Sequence, residues 1–149
     1  ILKYLKSKMT VASITTDINI GPFKIPSNGQ NMIMNNYASR NKLTVELVIP
    51  EPMMSNALET VQWLHKENNL TKVIMCSFHQ LPKDENRAKD LIKSMENVEF
   101  HFALEGISGK GKKFLLDSIK ESKLFSQAMK IDSTKSSWSE LFEMMKKNK

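Results

Sequence analysis

Residues 70–77 read LTKVIMCS, and the unbroken apolar run Val73-Ile74-Met75-Cys76 inside them decides the fold. A strand with one solvated face alternates apolar and polar residues. Four apolar residues in succession suit a strand buried on both faces, as in parallel sheets covered by helices. Strand-like and helix-like stretches alternate on either side of this run. Residues 11–16 (VASITT), 43–49 (LTVELVI) and 98–104 (VEFHFAL) complete a set of four strands, the second ended by Pro50 and Pro52. A first helix opens at Ser27 and Gln30, an S-x-x-Q capping box behind Pro26, and runs to about residue 41 with Ile33, Tyr37 and Ala38 on one face. Asn56 and Glu59 open a second helix carrying Leu58, Val61 and Leu64. Residues 83–95 form a third, with Ala88, Leu91, Ile92 and Met95 aligned, and residues 114–123 a fourth, with Phe114, Leu115 and Ile119. A last helix starts at the capping box Ser137 and Glu140.

The order β-α-β-α-β-α-β-α-α predicts an α/β fold with three layers. Its mostly parallel four-stranded sheet has the order 2-1-3-4, with helices on both faces. Flavodoxin-like and resolvase-like domains share this layout. The chain divides into an N-terminal extension (residues 1–8), a single α/β domain (9–131), and a linker with a C-terminal helix (132–149). In such a sheet, ligands bind at the carboxyl ends of the strands, beside the switch between strands 1 and 3.

Composition narrows the function classes. The chain has 149 residues, 40% of them apolar, with a formal net charge of +6. Six of the 22 basic residues (Lys3, Lys6, Lys8, Lys146, Lys147 and Lys149) lie at the two ends, and the remaining 16 balance 16 acids, so the body is neutral. Arg40 and Arg87 are the only arginines, which disfavours bidentate phosphate or guanine readout and a nucleic-acid partner. A single cysteine, Cys76, excludes an internal disulfide and fits a cytoplasmic protein. No apolar run approaches the ~20 residues that cross a bilayer. No pair of histidines has metal-ligand spacing, so no metal is expected. The segment GISGKGKK (residues 106–113) lacks the Walker A spacing and hydroxyl, and reads as a solvated loop. No dinucleotide fingerprint occurs, and no cofactor is expected.

The strand ends deliver chemistry to one edge: Thr15, Thr16 and Asp17 after strand 1, Glu51 after strand 2, Ser77 and His79 after strand 3, and Glu105 after strand 4. Polar residues end most strands because loops are solvated, so none of these marks a site alone. Their convergence does. A carboxylate and a histidine within hydrogen-bond reach at that edge make an acid/base pair, while His101, within strand 4 between Phe100 and Phe102, reads first as a core or face histidine and second as a catalyst. Trp138 and Phe142, four apart on the last helix, either pack on the domain or face a partner.

The run Ile25-Pro26-Ser27-Asn28-Gly29-Gln30-Asn31 followed by Tyr37 resembles the V-P-x-x-x-Q-N…Y segment of a small bacterial family, the sporadic carbohydrate cluster proteins of leptospiral type. Glu51, Ser77 with Leu81-Pro82, Arg87, and the block His101-Phe102-Ala103-Leu104-Glu105 continue the resemblance in order, over residues 12–105. Where the family tends to carry Ser-Arg at the end of strand 1, this chain has Thr16-Asp17. The family's genes sit among surface-polysaccharide genes. The resemblance therefore implies an accessory protein, or an enzyme, of cell-surface carbohydrate biosynthesis acting on a sugar or nucleotide-sugar. Glu51, Glu105 and His101 would do acid/base work there, and Gln30, Asn31, Ser77, His79 and Arg87 would bind the ligand. The alternatives are a non-catalytic scaffold meeting a partner or a second copy through its C-terminal helix, and a resolvase-like domain without recombinase activity.

Overall fold

The computed structural model describes residues 10–16, 24–51, 58–134 and 145–146, with side chains in the last long helix described to Ala128. Asp17, Asn56, Trp138, Phe142 and the Ser137–Glu140 capping box lie outside the described residues. The elements run β1 (Thr10–Thr16), α1 (Ser27–Arg40), β2 (Leu47–Glu51), α2 (Glu59–Asn68), β3 (Leu70–Met75), a 3-10 turn (Phe78–Gln80), α3 (Glu85–Met95), β4 (Glu99–Phe102), β5 (Ile107–Gly109) and α4 (Lys112–Thr134).

The described sheet has five strands in the order β2-β1-β3-β4-β5. The first four are parallel, as expected, and β5 is antiparallel to β4. The chain first steps from β1 to β2, then reverses and steps across β1 to β3 and on to β4. Right-handed crossovers then put α1 on one face and the following helices on the other. The side chains of β3 record both faces. Val73 and Met75 join a core built with Val61 of α2, Leu91 and Met95 of α3, and Leu115 and Ile119 of α4. Ile74 and Cys76 pack with Met34, Tyr37 and Ala38 of α1. Phe100 and Phe102 of β4 are fully buried in the larger core, each stabilising it by about 1.5–3 kcal/mol.

Three local expectations change. The glycine-rich segment is no free loop, because Ile107–Gly109 pairs with β4 as the fifth strand. The connecting residues 103–106 make a tight hairpin in which the Gly106 N–H donates to the Phe102 carbonyl at 2.8 Å. Gly106 closes it with φ at 67°, a conformation glycine adopts without strain. The second strand runs through Pro50 rather than stopping there, which an edge strand tolerates because one side of its backbone has no ladder to serve. Finally, α4 continues through Asp132 to Thr134, where a linker was expected to begin.

Gly109 locks the hairpin to α4. A Cβ at this position would lie 2.6–2.9 Å from ring atoms of Phe114, so the ring rests directly on the glycine backbone. Phe114 in turn stacks on Phe102, with ring centroids 5.9 Å apart. Replacing Gly109 by Ala should lower stability by about 1–3 kcal/mol through overpacking. Adding Phe114→Leu to Gly109→Ala should recover part of that loss, measured as urea midpoints across a double-mutant cycle. Strictly additive losses would show that the two positions do not press on one another.

Candidate functional site

The switch point between β1 and β3 is closed by side-chain amides. β1 continues two residues past its last partner on β3, to Thr16 opposite Glu51. There the fully buried Gln30 takes the place of a strand. Its Oε1 accepts the Thr16 N–H at 3.0 Å, and its Nε2 donates to the Thr16 carbonyl and to the Ile25 carbonyl, each at 2.7 Å. Gln80 adds a second amide, donating to Thr16 Oγ1 at 2.6 Å and to Gln30 Oε1 at 3.3 Å. The expected capping box at Ser27 is thereby corrected. Pro26 caps α1 with no side-chain hydrogen bond, because Gln30 points inward to β1. Asn31, the next residue, is half-buried on the first turn of α1.

Glu51 and Glu105, the two carboxylates expected to converge on the rim for acid/base work, serve separate helix starts. Glu51 is buried, and its oxygens accept the Thr60 and Val61 N–H groups at 3.1 and 3.3 Å. These are orphan donors of the first turn of α2, where negative charge also complements the helix dipole. Glu105 folds back from the β4–β5 hairpin, and its Oε1 accepts the Phe78 N–H at 2.6 Å, at the start of the 3-10 turn. β1 and β3 separate their strands, so about 14 Å of sheet lies between them at ~4.8 Å per strand. The raised proton affinity of Glu105 comes from burial, opposed by the hydrogen bonds from Phe78 and Ser77. It does not come from Glu51.

Ser77 and His79 are likewise engaged in structure. Ser77 is fully buried and caps the 3-10 turn, its Oγ accepting the His79 N–H at 3.1 Å while its own N–H donates to Gln80 Oε1. The His79 ring leaves the rim and packs under α4. Its Nδ1 lies 3.0 Å from Ser122 Oγ, and its ring meets those of Phe78 and Phe125. Arg87 is exposed on the first turn of α3.

His101 has a different setting. It is buried on the α1 face of β4, where its neighbours would otherwise be apolar. Its Nε2 lies 2.8 Å from Glu99 Oε2, and its Nδ1 lies 2.7 Å from the Tyr37 hydroxyl. Glu99 is held below the usual carboxylate range, first by the hydrogen bond from His101 and further by the charge of Lys72, 3.5 Å away. A carboxylate only accepts, so Nε2 carries a proton; in the neutral imidazole Nδ1 then accepts and the Tyr37 hydroxyl donates. Burial first, then the Glu99 charge, pushes the Tyr37 hydroxyl above its ordinary range, with a hydrogen bond from Ser108 opposing.

Tyr37 opens onto a polar cleft of ≈ 490 Å³ between the last turn of α1 and the β4–β5 hairpin. Arg40 and Asn41 form one wall, Leu104, Gly106 and Ser108 the other, with Ala103 between. The cleft brings together Tyr37 and the hairpin beside His101, while Glu51, Arg87 and His79 lie elsewhere. The sequence reading missed Glu99, Arg40 and Ser108. The signal for Glu99 was present: in VEFHFAL, Glu99 and His101 are two apart and share one face of a strand. Arg40 stands three residues after Tyr37, on the same side of a helix. Ser108 had no signal, since it reaches the cleft only through the unforeseen β5. Among the described residues, no three His, Cys, Asp or Glu side chains cluster as metal ligands, and no helix is long and apolar enough to cross a membrane.

No protein-family model matches the chain, and no curated protein matches it.

The two half-buried histidines set an acid limit on stability. Burial lowers the proton affinity of both His79 and His65 below the ordinary 6.5, with the charge of Lys83 adding to the effect at His79. The unfolded chain therefore binds more protons than the folded one as pH falls through 6.5, and stability present above that pH is lost below it. His65 fits this picture because its Nδ1 accepts the Leu70 N–H at 3.1 Å, which requires an unprotonated nitrogen. Urea melts between pH 8 and pH 5 should show the decline, and His79→Gln should flatten it. An equally steep decline in His79→Gln would remove His79 from the account.

Proposed function

We propose that this chain is an accessory protein of bacterial cell-surface carbohydrate biosynthesis, and that it binds a sugar or nucleotide-sugar in the cleft beside Tyr37. One observation carries the reading. Two of the segments that resemble the carbohydrate cluster proteins, the stretch ending in Tyr37 and the block from His101 to Glu105, meet across 64 residues of sequence in a 2.7 Å hydrogen bond at the cleft wall. The chemistry of the wall agrees. The hydroxyls of Tyr37 and Ser108 and the amide of Asn41 suit sugar hydroxyls, and the exposed Leu104 suits the C–H face of a sugar ring. Arg40 is exposed at the end of α1, with no carboxylate partner among the described residues, and suits the phosphate of an activated sugar. A cytoplasmic location accords with the single thiol, Cys76, buried and unpaired.

A non-catalytic scaffold role is the second reading. It is favoured by Leu116 and Leu124, both exposed and two turns apart on α4.

Titration calorimetry with UDP-glucose, glucose 1-phosphate and methyl glucoside tests the ligand assignment. Arg40→Ala should weaken the two phosphorylated ligands about tenfold, the effect of losing one charge-assisted hydrogen bond at an open site, and leave methyl glucoside unchanged. Absence of binding by all three compounds would remove the carbohydrate reading.

A further inference from the structure

We propose that Tyr37 is the catalytic proton-transfer residue of this cleft, with His101 as its base and Glu99 as the positioning residue that steadies the imidazolium. The inference rests on the cleft being a ligand site, and it adds a reaction step to a binding site. Three observations carry it. The first is continuity: Tyr37 Oη, His101 Nδ1, His101 Nε2 and Glu99 Oε2 form an unbroken chain with links of 2.7 and 2.8 Å. The second is direction. Glu99 holds the Nε2 proton, so in the neutral imidazole the lone pair of Nδ1 points at the only proton Tyr37 has. The third is access. His101 and most of Tyr37 are buried, yet the Tyr37 side chain lines a cleft large enough for a small polar ligand.

The step balances without any further reactant. A hydroxyl of the bound ligand donates a hydrogen bond to the Tyr37 oxygen, whose own proton is turned to His101 and which keeps one lone pair beside the one that Ser108 meets. On transfer, the ligand O–H bond breaks and the proton passes to Tyr37. The former Tyr37 proton passes to Nδ1, and the electron pair stays on the ligand oxygen as a nucleophile. His101 becomes an imidazolium paired with the Glu99 carboxylate, which Lys72 approaches from its outer side. Tyr37 ends neutral, as it began. The environment that resists a standing tyrosinate is therefore no obstacle, since the relay never forms one. The groups facing the relay are Lys72 from β3, Ser108 from β5 and Arg40 from α1, together with Glu99 itself.

A tyrosine whose proton has a ready acceptor is a nucleophile, and benzenesulfonyl fluoride reads this directly. The Tyr37 oxygen forms an O–S bond, the S–F bond breaks, fluoride leaves, and the phenolic proton goes to His101. Peptide mass spectrometry of the full chain should find Tyr37 modified about 100-fold faster than N-acetyltyrosinamide in the same solution, within the range of general-base assistance. His101→Phe keeps a ring in the same space and should abolish the acceleration. Glu99→Gln still accepts from Nε2 but removes the charge, and should cut the rate about tenfold. Glu99 is partly exposed, so this variant remains decisive if His101→Phe fails to fold. A Tyr37 rate no faster than free tyrosinamide overturns the relay, as does an unchanged rate in Glu99→Gln. Calorimetry on the unmutated chain with UDP-glucose separates the two readings. Retained binding with no labelling acceleration in the parent chain removes the relay alone, and rapid labelling with no binding removes the ligand assignment alone.

Discussion

The placement of the cleft depends on one side chain, the amide of Gln30. A parallel strand that outlasts its neighbour leaves backbone groups that must find partners, because burying them unpaired costs several kcal/mol. Gln30 meets that demand at Thr16 and at the same time holds the Ile25 carbonyl. It therefore pins the first turn of α1 to the end of β1. Seven residues later on the same helix, two turns along and on nearly the same face, stands Tyr37. The helix lies over β1 and β3, so a fixed start delivers Tyr37 to His101 on β4 and Arg40 to the mouth of the cleft. An apolar residue at position 30 would fill the volume but leave Thr16 unpaired, and the helix would lose its register against the sheet.

The apolar pattern made the architecture readable. Val73-Ile74-Met75-Cys76 forecast a strand covered on both faces, and Ala88, Leu91, Ile92 and Met95 are all buried on α3 as their spacing required. Long runs with a strong period leave little choice of partner. The fifth strand was invisible for the opposite reason. Ile107-Ser108-Gly109 is three residues long, has two exposed side chains, and is held by pairing and by the Phe114 ring over Gly109, none of which leaves a local trace. Gln30 was visible as a polar residue near a helix start but was assigned the wrong partner. Ser27 and Gln30 have the spacing of a reciprocal cap, yet an unfilled ladder position on β1 makes the stronger claim on a buried amide.

The same competition explains the rim. Glu51, Ser77 and Glu105 are polar because helix starts adjoin strand ends in a sheet of this kind, and each start leaves unbonded N–H groups. A carboxylate or hydroxyl at the end of a strand is the nearest acceptor, and all three are used in that way. Convergence of acids and hydroxyls on one edge of a parallel sheet thus arises from backbone demand alone. It becomes a sign of chemistry only where a polar group is buried without a backbone duty.

His101 meets that criterion. Its position on β4 lies on the face where Ile74, Cys76, Met34 and Ala38 make an apolar cluster. An aliphatic residue there would extend the cluster with none of the desolvation that an imidazole, a phenol and a carboxylate require together. The three are instead fully connected, each bond between side chains and none needed to satisfy a strand end or a helix start. Local rules of burial are broken at this point and compensated by a network that begins at the Lys72–Glu99 pair and stops at a hydroxyl in the cleft wall. Residues that depart from the pattern of their surroundings, at a place where a cavity opens, are where a fold carries function rather than stability. By that reasoning the cleft beside Tyr37, and not the capped ends of the strands, is the place we propose for a ligand.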